Sequence, residues 1–102
     1  MSWIDAGVSQ DFPEGQAKSL AVGRRMVAIV RSGETFYAIE DICTHDGAPL
    51  TGGEIEGNEI ICPRHGARFC LRTGEALTPP AYEPVRVYQT KVENGRLWVR
   101  AD

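Results

Sequence analysis

Short runs of β-branched and aromatic residues, separated by turns that contain glycine or proline, dominate the pattern of hydrophobic and polar positions. Residues 25–31 are rich in Val and Ile, Ser32-Gly33-Glu34 predicts a turn, and residues 35–39 predict the returning strand of a hairpin. No window of about 11 residues has convincing helical periodicity. The pattern therefore predicts an all-β protein.

A second hairpin is predicted near the C-terminus. Residues 85–92 alternate in part with a period of two, Glu93-Asn94-Gly95 predicts the turn, and residues 96–99 return. A short strand is also predicted over residues 59–62. Many short strands with glycine and proline turns are typical of a small antiparallel β-sandwich or partly open barrel, here expected as a single domain over residues 1–102.

Three loop segments interrupt this rhythm. The first, about residues 41–53, is polar and rich in glycine, the second covers about residues 62–70, and the third runs around Thr78-Pro79-Pro80-Ala81. Long loops inside a compact domain are often functional. We expect Pro79 and Pro80 to brace the other two loops from a third side, and the sequence shows no internal repeat.

Composition and charge exclude several classes of protein. The chain has 102 residues, 42% of them hydrophobic and 25% charged, as in a globular domain. A net charge of −3 disfavours binding to nucleic acid or to an anionic membrane. The longest apolar stretch, residues 26–30, is far shorter than the ~20 residues of a membrane span. Because the N-terminus lacks the features of a signal peptide, we expect a cytoplasmic protein.

Four of the five Cys and His residues form two pairs that point to a metal site. Cys43-Thr44-His45 has the form C-x-H, Cys62-Pro63-Arg64-His65 has the form C-x-x-H, and sixteen residues separate His45 from Cys62. Each pair lies in a loop or at the end of a strand, so two loops can close on one metal centre. The candidate metal ligands are Cys43, His45, Cys62 and His65.

The remaining cysteine, Cys70, is expected to pack as a small apolar residue beneath the loops. Two metals remain open for the other four residues. Two Cys and two His can hold tetrahedral zinc, although zinc sites usually pair Cys with Cys and His with His. One thiolate and one imidazole from each loop suit a 2Fe-2S cluster with two thiolates on one iron and two imidazoles on the other.

The spacing C-x-H, sixteen residues, C-x-x-H resembles the signature of the Rieske family, and Gly66 and Phe69 also fit the second loop of that family. The resemblance extends from about residue 25 to residue 100. It implies the Rieske iron-sulfur fold with two cluster-binding loops and one Rieske-type 2Fe-2S cluster. It further implies a buried iron held by Cys43 and Cys62 and an iron near the surface held by His45 and His65.

The residues around this expected cluster indicate a low potential. High-potential members of the family have a loop disulfide and Ser and Tyr hydroxyls that donate to the cluster sulfurs. This sequence has Ala67 in the serine place and Phe69 in the tyrosine place, and it lacks the cysteines of the disulfide. Imidazole ligands raise the potential to about −150 mV or above, against about −400 mV for plant-type ferredoxins. We expect a midpoint near the bottom of the Rieske range.

Free-standing, low-potential Rieske domains resemble the ferredoxin components of bacterial multicomponent dioxygenases that hydroxylate aromatic rings. The run from Phe69 to Leu77 looks like the corresponding segment of those ferredoxins. The resemblance implies electron transport rather than catalysis, with single electrons passing from an NAD(P)H-dependent flavoprotein reductase to a terminal non-haem iron oxygenase. Two alternatives remain: the small subunit of an assimilatory nitrite reductase and a structural zinc module.

Overall fold

A computed structural model, which describes residues 2–100, shows a protein built almost entirely of antiparallel strands. The strands, in chain order, are β1 (Trp3–Val8), β2 (Ala17–Val22), β3 (Arg25–Ser32), β4 (Thr35–Glu40), β5 (Ile55–Glu56), β6 (Glu59–Ile61), β7 (Arg68–Cys70), β8 (Val87–Tyr88), β9 (Thr90–Glu93) and β10 (Arg96–Arg100).

These strands form three sheets, with the orders β1-β10-β9, β2-β3-β4-β8 and β5-β6-β7. The helical content of residues 2–100 is one 3-10 turn, Ser9–Asp11. That part of the chain has no helix with the length and apolar character needed to cross a membrane. The predicted all-β class is therefore confirmed.

Both predicted hairpins are present. Strands β3 and β4 pair from Ser32 opposite Thr35, and β9 and β10 pair from Glu93 opposite Arg96. In the second turn, Asn94 and Gly95 have φ angles of 53° and 75°. Asn-Gly is the preferred pair for a two-residue hairpin turn in which both residues have positive φ.

The sequence pattern is wrong in three places. It did not predict β1 or β2, whose apolar residues are interrupted by exposed polar ones, nor the two-residue β5. The second loop, expected over about residues 62–70, ends earlier, because residues 68–70 form β7 and pair with β6. The strand predicted over residues 85–92 breaks at Gln89, because the chain passes there from one sheet to another. Strand β8 pairs with β4, whereas β9 pairs with β10.

Two groups of buried side chains lie on opposite faces of β3. Val27 and Ile29 belong to one group, and Ala28 and Val30 belong to the other, which explains why this strand is continuously apolar. The sandwich core consists of Phe12, Val22, Val27, Ile29, Ala38, Tyr88, Leu97 and Val99. The loop core consists of Ala28, Val30, Ile39, Cys43, Leu50, Ile60, Cys62, Ala67, Phe69, Leu71, Ala81 and Val85.

Candidate metal centre

The two candidate thiols lie side by side in the loop core. Cys43 follows β4 and Cys62 directly follows β6, and their exposed fractions are 0% and 1%. Both side chains belong to the loop core. Burial raises the pKa of the Cys43 thiol, the backbone N–H of His45 opposes that rise, and the neighbouring Cys62 thiol adds to it. The site is therefore a sheltered pair of sulfur donors.

The loop that begins at Cys43 is closed by its own backbone. The N–H of Cys43 donates to the carbonyl oxygen of Ala48 at 2.6 Å, and the N–H of Gly47 donates to the carbonyl oxygen of Cys43 at 2.7 Å. Gly47 has a φ of 79°, a conformation that glycine adopts without steric cost. This closure turns residues 44–46 outward from the buried thiol.

The same backbone closure occurs twice more in the chain. In each copy a cysteine N–H donates to the carbonyl of the fifth residue after it, and a glycine four residues after the cysteine donates to the cysteine carbonyl. The signal in the sequence is Cys-x-x-x-Gly. The two further copies run from Cys62 through Gly66 to Ala67 and from Cys70 through Gly74 to Glu75.

Both histidines lie on the exposed side of these loops. The ring centroids of His45 and His65 are 5.0 Å apart, with their planes nearly perpendicular at 86°. The side chain of His65 is 49% exposed. The four residues predicted from their spacing thus come together, with the thiols buried and the imidazoles facing solvent.

Asp46 joins this group although the sequence analysis did not single it out. One carboxylate oxygen, Oδ2, lies 3.2 Å from Nε of Arg64 and 3.7 Å from Nε2 of His65. The backbone N–H of Ala48, which donates to Oδ1 at 3.0 Å, and the nearby Arg64 charge hold the pKa of this carboxyl below its usual value. Potential ligand atoms of Asp46 and the two histidines lie within 4.8 Å of one another.

Asp41 anchors the far end of the first loop. Its Oδ1 accepts the backbone N–H groups of Leu50 and Thr51 at 2.7 and 2.8 Å, and its Oδ2 accepts the Thr51 hydroxyl at 2.7 Å. A carboxylate with three donors restrains a loop that has no sheet partners of its own. These contacts join residues nine and ten positions apart, and the sequence analysis did not predict them.

The segment that follows Pro79 and Pro80 supports the first loop, whereas the bracing role expected of the two prolines themselves stays a prediction. The hydroxyl of Thr44 donates to the carbonyl oxygen of Glu83 at 2.7 Å. Ala81 and Val85 belong to the loop core that also contains both buried thiols. Contacts from residues 81–85 thus fix the first loop from the side.

Two other residues lie near the loops without being candidate ligands. Cys70 is partly exposed and belongs to neither core, so the prediction that it packs beneath the loops is wrong. The hydroxyl of Thr73, in the third repeated loop, lowers the pKa of the Cys70 thiol. Arg68, which lies near the second loop in sequence, pairs with Glu56 and Glu59 at 2.9 and 3.2 Å.

The donor set fits an asymmetric iron-sulfur cluster. Two adjacent thiols suit one iron in a dry environment, and two imidazoles at the surface suit a second iron. All three cysteines are free, so the loop disulfide of high-potential centres is absent. The arrangement would hold a redox group close to the surface while its sulfur ligands stay inside.

Comparison with known proteins also indicates an iron-sulfur cluster site. Residues 2–89 match the family model described as the Rieske [2Fe-2S] domain. The ferredoxin component of the naphthalene 1,2-dioxygenase/salicylate 5-hydroxylase systems of Ralstonia sp. is 36% identical over 101 residues, which cover 99% of this chain and 97% of the relative.

Two solved structures extend the likeness to three dimensions. The ferredoxin of carbazole 1,9a-dioxygenase from Nocardioides aromaticivorans IC177 has a TM-score of 0.96 and 30% identity, with both chains covered completely. A chain in a complex of reduced oxygenase and oxidized ferredoxin in carbazole 1,9a-dioxygenase has a TM-score of 0.90 and 34% identity, covering 98% of this chain and 94% of that one.

A more distant likeness bears on the nitrite reductase alternative. The small subunit of a nitrite reductase from Mycobacterium tuberculosis has a TM-score of 0.86 at 21% identity, covering 96% of this chain and 93% of that one. At this identity the likeness shows a shared fold alone.

Proposed function

Because the chain belongs to the Rieske [2Fe-2S] domain family, we propose that it is a ferredoxin whose 2Fe-2S cluster is held by Cys43, His45, Cys62 and His65. When bound, such a cluster takes up and releases one electron at a time. The observation that carries the proposal is the placement of two buried thiols beneath two exposed imidazoles.

The four proposed ligands lie on two sides of the site, with the thiols on the inner side and the imidazoles on the outer side. Cys43 and Cys62 lie in a core that excludes water and any partner protein. His45 and His65 face solvent, so a partner that docks on their side comes closest to the redox group. Electron entry and exit are therefore expected at the histidine surface.

The same surroundings support a low midpoint potential. Ala67 and Phe69 are fully buried in the loop core beside both thiols, and neither side chain has a hydroxyl to donate to a cluster sulfur. Hydrogen bonds and burial are among the factors that set the potential of such centres. Fewer donors leave the reduced, more negative state less stabilised.

We propose an NAD(P)H-dependent flavoprotein reductase as the electron donor and the terminal oxygenase of an aromatic-ring dioxygenase system as the acceptor. The ferredoxin components of such systems are similar along nearly their whole length, and one similar chain is solved together with its oxygenase. We also place the protein in the cytoplasm, where NAD(P)H is available, as a single domain over residues 1–102.

An exposed aromatic residue supports docking at the histidine surface. Tyr82 is 80% exposed, and the next residue, Glu83, accepts the hydrogen bond from Thr44 in the first loop. Tyrosine is enriched at protein interfaces because its ring buries a large area and its hydroxyl stays hydrogen-bonded. Tyr82 is therefore well placed to contact the oxygenase.

The two alternatives have weaker support. The nitrite reductase likeness rests on fold, whereas relatives above 30% identity are dioxygenase ferredoxins. A zinc module would use the same four donors. The matching family, however, is described by its [2Fe-2S] cluster and not by zinc.

Substitution of the proposed ligands tests the cluster assignment. Purified Cys43→Ser and His65→Ala variants should lose at least half of the iron and acid-labile sulfide and the reduced EPR signal of the wild-type protein, because each removes one of four ligands. Cys70→Ser is the matched control and should keep all three. A wild-type protein without iron and sulfide would overturn the assignment.

Reconstitution tests the role. With a dioxygenase reductase and terminal oxygenase, the protein should couple NADH oxidation to hydroxylation of an aromatic substrate. Electron delivery to the large subunit of a nitrite reductase, with none to the oxygenase, would contradict the proposed role and favour the alternative.

A further inference from the structure

The tips of the two ligand loops are linked by one carboxylate. Asp46 directly follows the proposed ligand His45, and Arg64 directly precedes the proposed ligand His65. The Oδ2 atom of Asp46 lies 3.2 Å from Nε of Arg64 and 3.7 Å from Nε2 of His65. The Asp46 carboxylate therefore lies between the Arg64 charge and a ring nitrogen of His65, both of which belong to the other loop.

The orientation of the carboxylate is set by more than the ion pair. The backbone N–H of Ala48 donates to its other oxygen, Oδ1, at 3.0 Å. This bond and the Arg64 charge both favour the ionised carboxyl, whose pKa is lowered. The side chain of Asp46 is 22% exposed and that of Arg64 is 63% exposed, so the carboxylate is the better sheltered of the two charges.

Charges at this position act on electron uptake. The carboxylate lies 3.7 Å from Nε2 of His65, beyond hydrogen-bonding distance, so it acts on the site through its charge. A negative charge opposes the arrival of an electron by Coulomb repulsion, whereas a positive charge favours it. Asp46 and Arg64 should therefore act in opposite directions.

We propose that Asp46 is a tuning residue whose negative charge beside His65 lowers the midpoint potential, and that the positive charge of Arg64 limits this effect. The inference rests on the proposed function, and it adds a cross-loop contribution to the potential that is separate from the missing hydroxyls at Ala67 and Phe69. Because both charges reach solvent, the effect is moderate and sensitive to salt.

The experiment compares midpoint potentials of the cluster-loaded protein, measured by spectroelectrochemistry at one pH and low ionic strength. Asp46→Asn should raise the potential, corresponding to about a two- to tenfold larger equilibrium constant for reduction. For a one-electron couple, tenfold corresponds to about 59 mV. Arg64→Gln should lower the potential, and the double variant should lie between the two single variants.

Two further variants separate charge from shape. Asp46→Glu keeps the charge and should stay closer to the wild-type potential than Asp46→Asn. Glu34→Gln is the matched control for loss of one negative charge, because Glu34 lies in the turn at the opposite end of β4 from the first loop. Its potential should equal that of the wild type. The shift of Asp46→Asn should shrink at about 1 M salt, where screening is nearly complete beyond ~3 Å.

The outcomes distinguish the two levels of the proposal. Wild-type protein without iron and sulfide overturns the proposed function and this inference together. A loaded Asp46→Asn variant with an unchanged or lower potential overturns this inference alone. If that variant does not retain iron, Arg64→Gln tests the opposing charge that the proposal requires: a lower potential supports it, and an unchanged or higher one overturns it.

Discussion

At the scale of single residues, the same backbone loop buries its cysteine at two of its three positions and leaves it partly exposed at the third. Cys43 is buried in an apolar core, and burial raises the pKa of its thiol. Cys70 is partly exposed, and the hydroxyl of Thr73, followed by the backbone N–H groups of Thr73 and Arg72, lowers the pKa of its thiol. The loop alone therefore does not determine whether a cysteine is sheltered or reactive.

This difference predicts the pH dependence of thiol alkylation. Thiolates are the reacting form, and a lowered pKa means that Cys70 becomes reactive at a lower pH than an ordinary cysteine. Thr73→Val should move the half-maximal rate of iodoacetamide labelling of the loaded protein to higher pH, whereas Thr73→Ser should keep it. Labelling is followed by mass spectrometry, with Cys70→Ser to identify the residue, and an unchanged profile in Thr73→Val would contradict the prediction.

The ligand candidates could be predicted residue by residue because they are close neighbours in the chain. His45 lies two positions after Cys43, and His65 lies three after Cys62, so the spacing alone marks each pair. Asp46 gave no such signal. Its importance comes from a contact with Arg64 and His65 in the other loop, and residues 18 or more positions apart leave no local pattern.

At the scale of elements, the end of the first loop packs closely against the strand that leads into the second. The N–H of Gly53 donates to the carbonyl oxygen of Leu50 at 3.0 Å. A methyl group added at Gly53 would overlap the backbone carbonyl oxygen of Ile61, the residue before Cys62. The two loops therefore share a contact at their bases as well as at their tips.

Gly53→Ala should disturb this contact. Relief of the overlap requires a backbone shift at Ile61, so we expect a loss of about 1–3 kcal/mol of stability together with a lower iron content. The matched control is Gly57→Ala in the β5–β6 turn, where nothing lies within 4 Å of the added atom and φ is +60°. It should cost about 1–2 kcal/mol from backbone strain and keep its iron. Equal iron loss in both variants would contradict the prediction, with stability measured by denaturant unfolding.

The elements themselves were predictable to different degrees. The β3–β4 and β9–β10 hairpins have strong turn signals, Ser-Gly-Glu and Asn-Gly, between apolar runs. The break at Gln89 had no turn signal. Strands β8 and β9 follow one another directly along the chain, but they belong to different sheets. Partner choice of this kind depends on the other strands.

At the scale of the whole molecule, the two cores on either side of β3 stabilise different parts of the protein. The sandwich core joins the sheets β1-β10-β9 and β2-β3-β4-β8, and the loop core contains both candidate thiols. Leu97 belongs to the first and Leu50 to the second, and both are fully buried. The two leucines are thus matched in size and burial, but only Leu50 lies in the core that contains the two candidate thiols.

Truncation of each leucine should separate stability from metal retention. Leu50→Ala and Leu97→Ala should each cost about 2–5 kcal/mol, because each leaves a cavity. Leu50→Ala should also lower the iron content of folded protein, whereas Leu97→Ala should keep the wild-type ratio of iron to protein. Denaturant unfolding and iron analysis on the same preparations provide the measurement. Equal iron loss in both variants would show that the cores are not separable in this way.

The sequence by itself determined the all-β class, two of the hairpins and the spacing of four candidate ligands. Each of these is a local property, because side-chain alternation, turn residues and Cys-to-His intervals act over a few positions. The family resemblance already implied that the cysteines are buried and the histidines lie near the surface. Only the tertiary structure decided where Cys70 lies and that Asp46 reaches from one loop to the other. Burial and charge pairing depend on segments that are distant in the chain, and only folding brings those segments together.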